Sequence, residues 1–277
     1  MRKYLETVLM FCMAGMPLAH AEDATPKSPF SLNVGIESFR WEEFDAGQSL
    51  LRETGPRLTV GVALDHLLHG NLATPYAAEV RGYVGFIDYD GQTQAGIPAK
   101  TDVDYFGISG EIMGAVRLAG NSRMDLLGGL GVDTWTRDIQ NGVADNGSVA
   151  LGYREDYFIL YGKLGPGFRF QHGATRSYLQ FGIKYPFYTH ENAYLSTIGF
   201  DSDVELKPGR KISGFARWRM SRGREGDKPR FGASIYYDSF RFSASGSKIV
   251  SAGGTLFSVH QPESRMDVLG ARLEYYF

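Results

Sequence analysis

The last residues of the chain alternate strictly between apolar and polar side chains. One parity holds Leu269, Ala271, Leu273, Tyr275 and Phe277, and the other holds Gly270, Arg272, Glu274 and Tyr276. A period of two is the repeat of a β-strand, whose successive side chains point to opposite faces. The segment therefore predicts a strand with one apolar face and one polar face.

The same alternation recurs along the chain and predicts about ten strands. They lie near residues 30–41, 56–66, 76–88, 103–118, 124–137, 154–170, 176–188, 210–221, 229–242 and 265–277. Most of them have at least the roughly 9 to 11 residues with which a tilted strand crosses a bilayer. This pattern predicts an all-β chain.

The intervals between these strands alternate in length. Residues 42–55, 89–102, 138–153, 189–209 and 243–264 form long intervals, whereas 67–75, 119–123, 171–175 and 222–228 are short. Long loops at one end and short turns at the other are typical of closed up-and-down transmembrane barrels. We expect a closed antiparallel barrel of about ten strands, with eight or twelve as alternatives. A soluble β-sandwich is disfavoured because it needs fewer strands of this length.

A terminal strand that ends on phenylalanine resembles the last strand of bacterial outer-membrane β-barrel proteins. The resemblance implies a location in the cell outer membrane, contact with outer-membrane lipid and lipopolysaccharide, and a monomeric state. It also implies that Leu273, Tyr275 and Phe277 form a signal for the barrel assembly machinery. Residues 30–277 would then form the barrel, and residues 22–29 a periplasmic tail.

The first residues have the pattern of a secretory signal peptide over 1–21. Arg2 and Lys3 precede an apolar run, and Ala19-His20-Ala21 provides small residues for cleavage. The single cysteine of the sequence, Cys12, would leave with this segment. We therefore expect a mature chain without disulfides.

The composition resembles that of a water-soluble protein, which is also the composition expected of a transmembrane barrel. Hydrophobic residues make up 43% of the chain, and no later segment has the roughly 18 unbroken apolar residues of a membrane helix. In a barrel half of each strand faces lipid and half faces the lumen, so the average is near neutral. The net charge of −2 argues against nucleic acid as a partner.

If the apolar parity faces outward, charged side chains of both signs line the lumen. The predicted lining is Glu79, Arg81, Glu111, Arg117, Asp125, Asp133, Arg137, Lys163, Arg169, Lys184, Lys211, Arg217, Arg219, Asp238, Arg272 and Glu274. The interior of a barrel of about ten strands is narrow enough for side chains to fill much of it. We expect these charges to neutralise one another and plug the lumen, with a narrow anion-preferring pore as the alternative.

Two details of this lining are specific. Arg117 falls opposite Asp125 if their turn is symmetric, and the two are expected to form an ion pair. Lys163 and Lys184 fall about one rung apart, which requires a carboxylate or an anion between them.

The sequence matches known catalytic motifs only in part. The omptin proteases, which are ten-stranded barrels, use two aspartates and an aspartate-histidine pair at the rim, and Asp133, Asp238 and His190 are the candidates here. The string His190-Glu191-Asn192 is similar to the active strand of outer-membrane lipid deacylases but lacks a serine nucleophile. His66 and His69 could meet one metal, although exposed turn histidines are commoner. We expect no enzyme, cofactor or metal, and keep a rim protease or lipid hydrolase as an alternative.

Some positions do not fit the simple pattern. Pro166 and Pro186 each remove a ladder hydrogen bond and predict a bulge or bend. The parity slips near Phe39 and Trp41, and again near Phe240 and Phe242. Apolar residues in the long intervals 189–209 and 243–264 predict loops that fold over the lumen or bind an outside ligand. The leading hypothesis is a surface protein with a structural or ligand-binding role carried by these loops.

Overall fold

The computed structural model describes residues 30–69, 75–93, 96–118, 123–173, 175–222 and 231–277. The predicted signal peptide, the periplasmic tail and Cys12 lie outside the described residues. Within these ranges the chain forms ten long strands. They are β1 (Phe30–Asp45), β2 (Gln48–Asp65), β3 (Tyr76–Gln92), β4 (Pro98–Arg117), β5 (Met124–Ile139), β6 (Arg154–His172), β7 (Thr175–Ala193), β8 (Ser213–Arg222), β9 (Phe231–Ser243) and β10 (Glu263–Tyr276).

The ten strands form a closed antiparallel barrel. Every strand pairs with its neighbours in sequence, and β1 pairs with β10, so the sheet has no free edge along the barrel wall. The closing seam runs from Ser31 opposite Tyr276 to Phe44 opposite Glu263. Phe30 and Phe277 therefore lie at one end of the barrel, called here the terminus end, and the longer connections lie at the loop end. The predicted fold class and strand number are confirmed.

Apolar side chains cover the outer wall. Exposed Leu, Ile, Val and aromatic residues alternate with buried positions on every strand. In β10, Leu269 and Leu273 are exposed and Arg272 and Glu274 are buried, and Phe277 directly after the strand is exposed. Along β10 and Phe277 this surface extends from residue 269 to 277, which at roughly 3.4 Å per residue and the usual tilt covers about 20 Å. A belt of this height matches the apolar band of a membrane-spanning barrel. Among the described residues no helix is long and apolar enough to cross a membrane.

The connections differ from the prediction at the loop end. The intervals 42–55 and 89–102 were expected to be loops, but β1 and β2 continue to a turn at Ala46 and Gly47, and β3 and β4 continue to Gln92 and Pro98. The strands are therefore longer than a bilayer requires and project beyond the apolar belt. The other connections carry the short strands Gly142–Ala144, Val149–Ala150, Val204–Leu206, Gly209–Lys211, Lys248–Ala252 and Thr255–Val259, and the 3-10 helix Leu195–Ile198.

A short helix, α1 (His66–His69), directly follows β2 at the terminus end. Asp65 accepts hydrogen bonds from the backbone N–H groups of Leu67 (2.9 Å) and Leu68 (3.1 Å) and so caps this turn. Leu67 and Leu68 are buried against Met113, Leu127 and Tyr178 inside the barrel mouth. The turn therefore folds into the lumen and narrows it from below.

The irregularities predicted at the two prolines are found in part. The register is the same at Leu164 and Gly167, so no bulge forms at Pro166, but Gly165 and Pro166 are not paired with β7. The register between β6 and β7 shifts opposite Pro186, as predicted. The apolar pattern slips at Phe39, Trp41, Phe240 and Phe242 because all four rings point into the barrel, while the strands themselves keep an unbroken alternation. Above the membrane belt the outer face meets water, so an apolar residue is free to face inward.

Candidate functional site in the barrel lumen

The middle of the lumen is filled by interlocking ion pairs. Glu37 accepts hydrogen bonds from Arg57 and Arg81, with the closest N···O distances at 2.6 and 2.8 Å, and from the Tyr236 hydroxyl at 2.5 Å. Glu79 on β3 accepts from Arg217 on β8 at 3.0 Å and from Arg272 on β10. These bonds join strands on opposite sides of the barrel, so side chains cross the space that a channel would need.

A second group of charges lies beside this network. Lys163 and Lys184 are directly opposite each other on β6 and β7. The Asp238 carboxylate lies between them, 2.8 Å from the Lys163 amine and in direct contact with the Lys184 amine. Lys163 also contacts Glu111 at 2.6 Å. The two amines and two carboxylates balance, which is the condition for burying charge at tolerable cost.

An aromatic layer lies above the ion pairs, toward the loop end. Its members are Phe39, Trp41, Tyr83, Tyr105, Trp135, Tyr157, Tyr161, Tyr236, Phe240 and Phe242, packed with Ile87, Val103, Ile159, Met266 and Val268. Trp135 stacks on Tyr157 with ring centroids 4.8 Å apart, and Trp41 contacts the same tyrosine edge-on at 5.6 Å. Such packing is that of a protein core and excludes water from the upper lumen.

Above the aromatic rings lies a buried cluster of four glutamates and one arginine. Arg137 donates to Glu53 (2.5 Å), Glu155 (2.6 Å) and Glu43 (3.2 Å). Tyr105, Trp41 and Gln261 donate further hydrogen bonds to Glu53 or Glu43. Glu191 is the fourth carboxylate, 1% exposed and opposite Tyr157. One guanidinium thus organises most of the loop end of the lumen.

The terminus end of the lumen has its own ion pairs. Arg169 contacts Asp125 at 2.6 Å, and Arg219 contacts Asp65 at the base of α1. A cavity of about 30 Å³ remains in the described part of the barrel and is lined by residues of the central network, including Arg81, Glu111 and Lys163. That space holds one or two water molecules. A second cavity near Leu67 is about 10 Å³.

The structure places most of the predicted lining on the inner wall, with two exceptions. Lys211 lies on the outside of the rim and pairs with Glu263 at 2.7 Å. Arg117 is opposite Asp125, as the symmetric turn requires, but it is exposed and the ion pair of Asp125 is made by Arg169 instead. The remaining members are Glu79, Arg81, Glu111, Asp125, Asp133, Arg137, Lys163, Arg169, Lys184, Arg217, Arg219, Asp238, Arg272 and Glu274.

Several interior charges were missed by sequence reasoning. Glu43 and Glu53 fall in an interval taken as a loop, and Glu191 falls at the start of another. Glu37 and Arg57 lie at inward positions of β1 and β2 whose parity could have revealed them. Leu273, Tyr275 and Phe277 of the proposed assembly signal all face outward on β10.

The candidate catalytic residues are not brought together. Asp133 accepts a hydrogen bond from the Tyr83 hydroxyl at 2.8 Å inside the barrel, and Asp238 is held by the two lysines. His190 lies opposite Phe158 on the outer face of β7. His66 stacks on Tyr76 at 4.7 Å, and the side chain of His69 lies outside the described residues. No cluster of three metal-ligating side chains occurs among the described residues.

Comparison with known proteins finds similar barrels and no sequence relative. No protein-family model matches the sequence, and no curated protein is significantly similar to it. The outer membrane protease OmpT from Escherichia coli is 12% identical with a TM-score of 0.47, and the match covers 93% of this chain and 99% of that one. The transport unit of the autotransporter AIDA-I from Escherichia coli is 11% identical with a TM-score of 0.45, covering 98% and 97%. The β domain of the Bordetella autotransporter BrkA is 13% identical with a TM-score of 0.42, covering 90% and 100%.

Proposed function

We propose that this protein is a monomeric, non-conducting barrel of the bacterial outer membrane that has a structural or ligand-binding role at the cell surface. The observation that carries the proposal is the filled lumen. Ion pairs, an aromatic layer and the α1 turn occupy it at successive heights, and the cavity left within the central network is about 30 Å³. Side chains held on opposite walls by charge-assisted bonds do not move aside for a solute without breaking several bonds at once.

The outer surface supports the membrane location. The wall carries an apolar belt about 20 Å high, and Phe30, Tyr275 and Phe277 form a group of ring contacts at the terminus end. Aromatic rings at this level are typical of the water–lipid interface of membrane barrels. The terminus end then faces the periplasm and the loop end faces the outside, with the barrel assembly machinery as the partner that reads the last strand.

The loop end is the surface available to an external ligand. Leu195, Val204 and Val250 bring the connections after β7 and β9 into one small apolar core, while Ile249 and Leu256 remain exposed on the hairpin Lys248–Val259. These connections are therefore ordered against one another and present apolar side chains outward. A binding role on this surface needs no passage through the barrel.

Conductance in a planar bilayer tests the closed lumen. The purified full-length protein should insert without producing conductance steps, while a general porin added to the same bilayer should produce them. Stable open channels would contradict the sealed lumen and favour the narrow pore. Heat-dependent gel mobility with a β-rich circular dichroism spectrum in detergent tests the barrel itself, and a water-soluble, heat-insensitive monomer would overturn it.

We propose no enzymatic role for the rim. Protease and lipase assays on the wild type and on His190→Ala test this directly, since His190 is the histidine common to both alternatives. Any activity that disappears with this substitution would show that the rim is catalytic.

A further inference from the structure

Four arginines form a patch on the outer wall where the apolar belt ends toward the loops. Arg241, Arg265, Glu42 and Arg52 lie side by side in one row across β9, β10, β1 and β2. One rung closer to the membrane belt, Asp267 lies beside Arg40. These six residues are called the arginine patch.

The patch is organised around one carboxylate. Glu42 accepts hydrogen bonds from Arg40 at 2.5 Å, from Arg52 at 3.0 Å and from Arg265, whose two nitrogens lie 2.6 and 2.7 Å from one oxygen. Glu42 is 1% exposed beneath the three guanidiniums, which are themselves 40 to 54% exposed. In an ordinary surface ion pair one basic side chain contacts one acidic side chain. Here three arginines contact the single carboxylate of Glu42.

The patch carries excess positive charge. Arg241 contacts Asp267 at 2.6 Å, so the four guanidiniums face two carboxylates and two positive charges remain. Neighbouring pairs do not remove the excess, because Lys211 is matched by Glu263 and Lys100 by Asp90. The next strands, β3 to β5, carry Asp88, Asp102, Asp104 and Asp138 at outward positions, and Asp88 lies opposite Thr54 of β2. The excess positive charge is therefore local to β9, β10, β1 and β2.

The height of the patch on the wall identifies its environment. The next outward rung below Arg40 consists of Tyr237, Leu269, Ser38 and Pro56, and the rung after that of Ile235, Ala271, Ile36 and Leu58. The Tyr237 hydroxyl donates to Asp267 at 2.6 Å, which places a ring at the border between the belt and the patch. The guanidiniums thus begin where the hydrocarbon of the membrane would end, at the level of the headgroups of the outer leaflet.

We propose that the arginine patch binds a phosphate group on the headgroup of an outer-leaflet lipid. This inference rests on the proposed membrane location and adds a lipid partner and its site. Phosphate monoesters carry up to two negative charges and accept the parallel N–H bonds that guanidinium provides. The excess of two positive charges matches one such group. The continuous apolar wall below the patch binds the acyl chains of the same molecule. A lipid therefore contacts both the arginines and the apolar wall, whereas free phosphate contacts only the arginines.

Native mass spectrometry of the refolded full chain in non-ionic detergent tests the site. The probes are lipid A with two phosphate monoesters, the phosphate-free disaccharide with the same acyl chains, and inorganic phosphate. The variant R52Q/R265Q removes the excess charge and leaves Glu42 its partner Arg40. The matched control is Arg154→Gln, since Arg154 is an outward rim arginine already balanced by Asp156 at 2.9 Å.

The wild type and Arg154→Gln should hold the phosphorylated lipid at least about tenfold more tightly than the phosphate-free lipid. R52Q/R265Q should lose this preference while keeping its heat-dependent gel mobility. A preference that persists in the double variant, or that is lost equally in Arg154→Gln, would overturn the site. If the double variant does not fold, Arg52→Gln alone should reduce the preference about threefold, and an unchanged preference would overturn the site.

Competition with inorganic phosphate distinguishes a lipid headgroup from free phosphate as the ligand of the arginine patch. At millimolar concentration it should leave the lipid bound, and full displacement would show that the site takes free phosphate and that the lipid assignment is wrong. The proposed function fails independently, because an open channel in the bilayer would refute the sealed lumen without changing lipid preference. A closed barrel without lipid preference would refute this inference alone.

Discussion

At the scale of single residues, Arg137 has the greatest consequence for the lumen. It is 1% exposed and supplies the base for Glu43, Glu53 and Glu155. A buried ion pair adds little net stability, but removal of one partner leaves the other charge without compensation. Three carboxylates would lose their base in one substitution.

Arg137→Gln should therefore lower the free energy of unfolding by about 3 to 5 kcal/mol. Urea titration of the protein folded into lipid vesicles measures this change. The rim variant Arg154→Gln should cost less, about 1 kcal/mol, because Arg154 is 42% exposed and its loss leaves Asp156 hydrogen-bonded to Thr136 and Tyr194. Equal effects of the two substitutions would show that the cluster does not depend on Arg137.

At the scale of strands, three tyrosine rings on the inner wall each cover a glycine of the neighbouring strand. Tyr83 lies opposite Gly107, Tyr161 opposite Gly131, and Tyr236 opposite Gly270. A methyl group on any of these glycines would overlap the ring. The pairing compensates for the weak packing of glycine and fixes the height of each tyrosine in the lumen.

Gly131→Ala should displace the Tyr161 ring and cost about 1 to 3 kcal/mol, since Tyr161 packs against Phe240 and cannot move freely. The matched control is Gly128→Ala in the same strand, where the added methyl group meets no atom within 4 Å. Unfolding in vesicles gives both values. A loss in Gly128→Ala as large as in Gly131→Ala would indicate that strand geometry, and not the ring, sets the cost.

Strand positions could be predicted from the sequence, but strand lengths and part of the interior could not. Within the membrane belt lipid forces apolar side chains outward, so alternation assigns both faces, as it does for Leu269 and Arg272. Above the belt both faces can be polar or apolar, and Trp41 and Phe242 point inward although the belt pattern predicts outward. Glu53 and Glu191 were missed for the same reason. The identity of each ion-pair partner also depends on contacts across the barrel, and Asp125 pairs with Arg169 and not with the adjacent Arg117.

At the scale of the whole molecule, the cost of placing a charge on the outer wall should depend on the depth of that position in the membrane. Ile112 is 57% exposed near the middle of the apolar stretch of β4, and Val149 is 66% exposed in a loop-end connection. Ile112→Arg should cost about 2 to 4 kcal/mol in vesicles, and Val149→Arg close to zero. Unfolding titrations of both variants measure the difference. Similar small costs would mean that the belt does not contact hydrocarbon.

The seam between β1 and β10 has a consequence for how quickly this molecule forms. Its paired residues are more than 200 positions apart in the sequence, as with Ser31 and Tyr276. Such a pairing carries the largest loop-closure entropy in the chain and gains nothing until almost every other strand is ordered. The rate-limiting step of folding should therefore be the meeting of the first strand with the last. Until then two unpaired edges remain open to strands of other chains, and aggregation competes with closure.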